Sequence, residues 1–217
     1  MNAMKYPMNT RITRSMLGVC LIGAGLTLSA CSSSAPKRDR SSNLEEIDPS
    51  MQVLRQNRAK AREHYATATK LYKEGKHDEA LEEYRNALEL DDQLYAAWNN
   101  MGQLLMEQNN YADAVSAFQI AARIEPTDPR PLYNTGLAYQ RVGWAADAFE
   151  SYQKALQRDQ YYLPAMRGLA RSAEMLGRGD RALLETIKQA QLRETNELWR
   201  DYFRVQYNRI ETLVENR

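Results

Sequence analysis

The sequence predicts an all-α protein, an α-solenoid of about four helix–turn–helix units followed by a C-terminal capping helix. Small residues recur every 34 residues along the chain, at Ala80, Ala114, Ala148 and Ala182. Glycine or asparagine recurs with the same period at Gly75, Asn109, Gly143 and Gly177. A period of this size is typical of stacked helical pairs, in which each pair buries its apolar face against its neighbours.

The composition excludes several classes of function. The 217 residues include 29 basic and 28 acidic side chains, with no segment of dense positive charge that would indicate nucleic-acid binding. Two cysteines and two histidines are too few for a disulfide framework, a four-cysteine zinc site or a histidine-based metal site. We therefore expect no metal, no cofactor and no nucleic-acid partner.

Residues 1–30 have the pattern of an export signal. The first 14 residues carry Lys5, Arg11 and Arg14 and no acid, and the uncharged apolar run 15–30 follows. That run is shorter than the roughly 20 residues that a membrane span needs. It therefore predicts a cleaved signal peptide and not an anchor helix.

The end of this run resembles a bacterial lipobox, the signal for lipoprotein processing. It reads Leu28, Ser29, Ala30 and Cys31, with small residues directly before the cysteine. The resemblance implies cleavage before Cys31, acylation of Cys31, and a lipid-anchored protein of the bacterial envelope. Ser32 after the cysteine favours the periplasmic face of the outer membrane. The alternatives are lipidation of Cys20, disfavoured by the bulky Val19, or an ordinary signal peptide cut after Ala30.

Residues 31–49 are predicted to be the lipidated cysteine and a flexible tether. The stretch 32–47 is polar and has no apolar periodicity. Asp48, Pro49 and Ser50 then have the pattern of a capped helix start. No glycine or proline follows before Gly75, so we expect an unusually long first helix.

The repeats are predicted to occupy residues 50–196, as units 61–94, 95–128, 129–162 and 163–196. In each of the first three units a small residue, an aromatic residue and a second small residue follow at spacings of 4 and 3, as in Ala80, Tyr84 and Ala87, which is one helical face. This resembles the tetratricopeptide repeat. Unit 95–128 carries the fullest match: Trp98, Met101, Gly102, Leu105, Tyr111, Ala114, Phe118, Ala121 and Pro126. The last unit departs most, because Thr186 and Gln189 stand at the aromatic and second small positions.

The segment 197–217 is predicted to be a capping helix. Trp199, Phe203, Tyr207, Ile210 and Val214 are spaced 4, 4, 3 and 4, which makes one broad apolar stripe. We expect this stripe to pack on the last unit, and the alternative is a docking helix for a partner or a second copy.

Two stretches match the residue pattern of a catalytic motif but lack the sequence context that the motif needs. Residues 177–182 read G-x-G-x-x-A, but a dinucleotide site needs a preceding strand, whereas a helix is predicted here. Ser151 and Lys154 spell S-x-x-K without the companion motifs of acyl-serine enzymes. The sequence therefore does not indicate an enzyme, and we expect no catalytic residues.

The resemblance implies a binding groove along the first helices of the units, beginning at Tyr65 and Thr69. The groove residues carried over for the later units are Asn99, Asn100, Gln103, Arg130, Tyr133, Asn134, Leu137, Arg167 and Arg171. Amides can hold a peptide backbone and arginine can hold a carboxylate with two bonds. No acid stands among these residues, so we expect a protein partner with an acidic segment or a free C-terminal carboxylate.

The sequence as a whole predicts a membrane-anchored adaptor or scaffold. Lipid-anchored tetratricopeptide proteins of this size are similar to assembly lipoproteins, or pilotins, of pili and secretion systems. A second hypothesis is an adaptor for cell-wall or outer-membrane assembly enzymes. A periplasmic hydrolase is a third hypothesis, against which stands the absence of a phased nucleophile and base.

Overall fold

A computed structural model describes residues 48–216, which form nine α-helices and no β-strand. The helices are α1 Pro49–Lys73, α2 His77–Leu90, α3 Tyr95–Glu107, α4 Tyr111–Ile124, α5 Arg130–Arg141, α6 Ala145–Arg158, α7 Leu163–Met175, α8 Arg181–Arg193 and α9 Glu197–Glu215. The predicted all-α solenoid is therefore confirmed. Cys31, the signal peptide and the tether before Asp48 lie outside the described residues.

The long first helix is also confirmed. Helix α1 has 25 residues, and Asp48 caps it by accepting a hydrogen bond of 3.0 Å from the backbone N–H of Ser50. Pro49 occupies the first helical position, where its missing N–H leaves no helical bond unmade. Among the helices of residues 48–216, none combines the length and the apolar character that a membrane crossing requires.

The predicted turn residues all have left-handed backbone conformations. The φ angles are 77° at Gly75, 62° at Asn109, 81° at Gly143 and 62° at Gly177. Glycine adopts such angles without a steric penalty, and asparagine tolerates them better than most residues. Each turn ends a first helix and directs the chain into the antiparallel second helix of the same unit.

The units pack through aromatic rings that lie directly on small residues of the neighbouring helices. Tyr84, Phe118 and Tyr152, one in each of the first three second helices, are at most 1% exposed. A β-carbon added to Gly102 would lie 2.7 Å from Phe118 Cε1, and one added to Gly136 would lie 2.6 Å from Tyr152 Cε1. Since real β-carbons do not approach so closely, these rings occupy the space that glycine leaves.

The predicted register of α8 is wrong by one residue. Leu183, Ile187 and Ala190 are buried, whereas the predicted inward residues Ala182, Thr186 and Gln189 are not. Asp180 caps α8 by accepting a hydrogen bond of 2.8 Å from the N–H of Leu183, after a turn that is longer than those of the earlier units. The shift buries a leucine and an isoleucine in place of a threonine and a glutamine, which is the favourable choice.

Helix α9 packs on the end of the solenoid as the predicted capping helix would. Phe203, Gln206 and Ile210 face inward and are buried. Glu174 of α7 ties the two helices together, because its carboxylate accepts hydrogen bonds from Tyr202 Oη (2.8 Å) and Gln206 Nε2 (2.9 Å).

An ion pair joins α7 to the junction between α8 and α9. Arg167 donates to both oxygens of Glu194, at 2.8 Å from Nε and 2.7 Å from Nη2, and the Glu194 side chain is 0% exposed. Burial acts to raise the pKa of Glu194. Hydrogen bonds from the N–H of Asn196 and from Arg167 outweigh it, so that the pKa is lowered from its ordinary value.

We expect Gly168→Ala to destabilise the protein by about 1–2 kcal/mol, because the added methyl group would overpack the Tyr152 ring. A β-carbon at Gly168 would lie 2.6 Å from both Cε atoms of that ring. Without this contact the same change in a helix interior would stabilise by up to about 1 kcal/mol. Urea denaturation measures whether Gly168→Ala lowers or raises the free energy of unfolding. In a Tyr152→Leu background, which removes the ring, Gly168→Ala should no longer destabilise; equal losses in both backgrounds would contradict the contact.

We expect Arg167→Gln to lower the free energy of unfolding by about 2–3 kcal/mol, because it leaves the buried Glu194 carboxylate without its cation. Arg200→Gln is the control, since Arg200 is 50% exposed and lies 3.9 Å from Glu197, and its effect should stay below about 0.5 kcal/mol.

The same ion pair predicts a dependence of stability on pH. A carboxyl group with a lowered pKa contributes stability above its unfolded pKa, and that contribution is lost as the pH falls. The stability difference between the wild type and Glu194→Gln should therefore shrink as the pH falls below the ordinary glutamate value of 4.5. Denaturation curves at neutral and acidic pH measure it, and a difference that does not change with pH would exclude the coupling.

Candidate functional site

The first helices follow one another along one face of the solenoid, and we call this face the groove. Helix α3 contacts α5, α5 contacts α7, and α7 contacts α9. Asn100 Nδ2 of α3 also donates a hydrogen bond of 3.1 Å to Tyr65 Oη of α1, which extends the face to the first unit.

Three asparagines form a hydrogen-bonded row at the floor of the groove. Asn134 Nδ2 donates to Asn99 Oδ1 at 3.2 Å, and Asn99 Nδ2 donates to Asn100 Oδ1 at 3.4 Å. Asn99 and Asn134 are each only 6% exposed, whereas Asn100 is half-buried. The structure thus brings the three predicted amides together, but two of them mainly hold helices to one another. Asn100 is the one that a ligand could reach most directly.

The middle of the groove carries aromatic and apolar side chains. Tyr133 is half-buried and packs on Tyr152 and Tyr162, with ring centroids 5.8 and 5.6 Å away. Burial raises the pKa of Tyr133, and nearby Arg167 and Arg171 lower it only in part, so its hydroxyl stays protonated at neutral pH. Gln103 and Leu137 are also half-buried.

A small pocket lies at the end of the groove formed by unit four and α9. It has a volume of about 200 Å³ and is lined by Tyr133, Leu137, Gln140, Pro164, Arg167, Gly168, Arg171 and Trp199. The guanidinium carbon of Arg171 lies 4.6 Å from the centroid of the Trp199 ring, and that of Arg167 lies 5.1 Å from it. These distances are those of cation–π contacts.

Glycine stands in this unit where the earlier units carry asparagine. Gly168 stands one and two repeat periods after Asn134 and Asn100. The Tyr152 ring fills the space that a side chain on Gly168 would need, so Gly168 lines the pocket without contributing a side chain to it.

Two of the three predicted groove arginines already pair with acids of the chain and are not free to bind a ligand carboxylate. Arg167 is paired with Glu194, and Arg130 donates to both oxygens of Asp128 at 2.6–3.0 Å. Burial acts to raise the pKa of Asp128, but hydrogen bonds from Arg130 and Tyr95 outweigh it and hold the pKa at about 2. Two acids outside the predicted set, Asp128 and Glu194, therefore pair with two of the predicted groove arginines.

Arg171 is the exception, because it makes no ion pair within 4.0 Å in the part of the chain that the structure describes. Its guanidinium group is exposed and is oriented by the face of Trp199. Of the groove arginines, it is the one best placed to meet a carboxylate from outside the chain.

Trp199 is the site residue that the sequence reasoning assigned only to the cap. It stands one repeat period after Ala165 and two after Pro131, both of which are buried in first helices. Helix α9 therefore continues the series of first helices, but this phase predicts a buried position, so the contacts of Trp199 with Arg167 and Arg171 became apparent only in the structure.

The spelled catalytic motifs do not form a site. Ser151 Oγ donates to the backbone carbonyl of Asp147 at 2.8 Å, and Lys154 pairs with Glu150 at 2.7 Å. Residues 177–180 lie between α7 and α8, and residues 181–182 begin α8, so a helix and not a strand precedes the G-x-G-x-x-A stretch. Across residues 48–216, no group of three or more His, Cys, Asp or Glu side chains could hold a metal ion.

Comparisons with known proteins point to one repeat family. Residues 65–129 match a family model described as tetratricopeptide repeat. Superkiller complex protein 3 of Mus musculus is 24% identical over 106 residues, which is 49% of this chain and 7% of that protein. The probable UDP-N-acetylglucosamine--peptide N-acetylglucosaminyltransferase SPINDLY of Arabidopsis thaliana is 32% identical over 133 residues, or 61% of this chain and 14% of that protein. The chain thus spans only a small part of these relatives.

Solved structures share the fold. The first TPR of Spaghetti (RPAP3), bound to the HSP90 peptide SRMEEVD, has a TM-score of 0.53 at 20% identity, covering 56% of this chain and 96% of its own. MamA 41-end from Desulfovibrio magneticus RS-1 has a TM-score of 0.54 at 20% identity, covering 61% of this chain and 74% of its own.

Identities this low establish the fold and no more. The repeat phase, the left-handed turns and the aromatic–glycine contacts agree with both comparisons. The described part of the chain therefore has the fold of a tetratricopeptide-repeat solenoid, and residues 65–129 match that family's model.

Proposed function

We propose that this protein is a membrane-anchored adaptor that binds a segment of a partner protein in its groove and has no catalytic activity of its own. The observation that carries the proposal is the pocket formed by Arg171, Trp199 and Gly168. It combines an exposed cation with aromatic and apolar walls at one end of a row of amides.

The size and the chemistry of the pocket favour a peptide ligand. Its volume of about 200 Å³ is below the roughly 300–1,000 Å³ that is typical of small-molecule sites, and it has room for one side chain. Gln140 Oε1 accepts a hydrogen bond of 2.8 Å from Tyr152 Oη, which orients the amide and leaves its N–H groups to donate. A carboxylate between Arg171 and Gln140 would accept from both, with an apolar side chain against Trp199 and Leu137.

A structural neighbour supports an acidic ligand. The Spaghetti domain was solved with a peptide that ends in Glu-Glu-Val-Asp, so the fold can hold an acidic segment. The present chain differs from the carboxylate-binding pattern of the family, because only Asn100 and Arg130 match it and Arg130 is paired with Asp128. We therefore assign the carboxylate to Arg171 and not to the first three units.

The location and the pathway rest on the N-terminal sequence. The lipobox-like residues 28–31 support an anchor at Cys31 and a place at the periplasmic face of a bacterial outer membrane. An adaptor tethered there would suit the assembly of an envelope machine such as a pilus or a secretion system. This pathway rests on resemblance alone.

We expect Arg171→Gln to reduce partner capture by about tenfold, because one well-shielded charge-assisted contact is worth about 1.5–3 kcal/mol. The measurement is crosslinking in intact membranes followed by affinity purification of the full-length chain. The melting temperature should fall only slightly, since Arg171 has no carboxylate partner in the described structure and loses only its contact with Trp199. Arg141→Gln, an exposed change at the end of α5, is the control. Unchanged capture by Arg171→Gln would reject the pocket as the binding site.

We expect Cys31→Ala to abolish fatty-acid labelling and to leave the protein soluble or unprocessed, because the acylated thiol is lost. Cys20→Ala is the matched control and should change nothing. Metabolic labelling with a fatty acid and fractionation of membranes measure both variants. Labelling that persists in Cys31→Ala would rule out the proposed anchor.

A further inference from the structure

Helix α1 carries a row of arginines on the face that reaches the groove. Arg55, Arg58 and Arg62 precede the groove residues Tyr65 and Thr69 at successive spacings of 3, 4, 3 and 4. Residues at these spacings share one side of a helix. We call Arg55, Arg58 and Arg62 the arginine stripe; it continues the groove face beyond the first unit.

The stripe lies mostly on a part of α1 that no other described helix covers. Helix α2 ends at Leu90, and Arg58 Nε lies 4.0 Å from Asp91, the next residue. All residues from Asp48 to Gln56 are exposed. The N-terminal turns of α1 therefore project from the solenoid and present their side chains to solvent.

The charged side chains of this projecting part of α1 are all positive. Four cations, Arg55, Arg58, Lys60 and Arg62, occur between Pro49 and Arg62 without a single acid, although the whole chain is nearly balanced. All three stripe arginines are exposed, and the side chain of Arg58 is 51% exposed. Its contact with Asp91 is long, at 4.0 Å, and can offset at most one of the three stripe charges.

We propose that the arginine stripe is a second binding subsite, which takes an acidic segment of the partner. The proposal rests on the proposed function, since it adds to the groove a charged site at the end opposite Arg171. Successive stripe arginines are separated along the helix axis by about 4.5–6 Å. In an extended peptide, side chains on the same side recur every roughly 6.5–7 Å, so acids at alternate positions could meet successive arginines.

Other occupants fit the stripe less well. A second copy of the chain would place like charges together, which is unfavourable. A helix that lies on a membrane needs a broad apolar face. Two exposed apolar residues, Met51 and Leu54, stand four residues before Arg55 and Arg58 on this side of α1, whereas Val53 shares the side of Lys60, and the three arginines interrupt any apolar face. The stripe runs directly into Tyr65, whose hydroxyl accepts a hydrogen bond from Asn100 in the groove. This favours the peptide bound in the groove as the occupant of the stripe.

The test uses the full-length chain in uncharged detergent and a fluorescent peptide of consecutive glutamates with an amidated C-terminus. The amide removes the terminal carboxylate, so that only side-chain carboxylates can bind, and Arg171→Gln measures how many of them the pocket takes. We expect the triple variant Arg55→Gln, Arg58→Gln and Arg62→Gln to weaken binding by at least about tenfold at low salt. Rising salt should weaken binding to the wild type, because exposed charges are screened. Hydrogen exchange should show that the peptide protects residues 49–62.

The control removes three cations away from the stripe, with Lys60→Gln, Lys70→Gln and Arg85→Gln, and should change binding by no more than about twofold. Equal losses in the two triple variants would show nonspecific attraction and overturn the proposal. If Arg171→Gln removes the peptide while the stripe variant keeps it, the subsite is wrong and the groove function stands. Protection of residues 49–62 by phosphatidylglycerol vesicles, without any effect of the peptide, would identify a membrane contact instead.

Discussion

The close contact between the Tyr152 ring and the glycines beside it is the constraint on which the functional end of this solenoid depends. The ring fills the space left by Gly136 in its own unit and by Gly168 in the next. This contact sets how closely α7 approaches α5 and α6, and it buries the largest side chain of that interface. Gly168 also lines the pocket and contributes no side chain to it.

Helix α9 completes the pocket at the C-terminal end of the solenoid. It packs in phase with the first helices and places the Trp199 ring over Arg167 and Arg171. The two arginines, four residues apart, have different roles. Arg167 neutralises the buried Glu194 and holds α7 to the α8–α9 junction, whereas Arg171 remains exposed to a ligand. A substitution that removes both would therefore mix a loss of stability with a loss of binding, so the single change at Arg171 is the more informative one.

The charges along the groove are distributed toward its two ends. Asn99, Asn100 and Asn134 form an uncharged row in the middle, and Arg130 is neutralised by Asp128. Within the described residues, Arg171 makes no ion pair, and Arg55, Arg58 and Arg62 of α1 have one long contact, 4.0 Å from Arg58 to Asp91. Such an arrangement suits a peptide with separated acidic groups, because the arginines at each end attract one of them. The asparagine amides in the middle can bond to the peptide backbone whatever its sequence.

The sequence by itself determined the features that depend on local and repeated patterns. The period of 34 residues, the left-handed turns and the long capped α1 follow from residues close together in the chain, and the structure confirms them. The acylation of Cys31 stays a prediction from sequence, since it lies outside the described residues. Only the tertiary structure decided the register of α8, the pairing of Arg167 with Glu194 and the place of Trp199 in the groove. These depend on which distant side chains meet after packing, and burial of Leu183 and Ile187 outweighs the repeat phase because it removes more apolar surface from water.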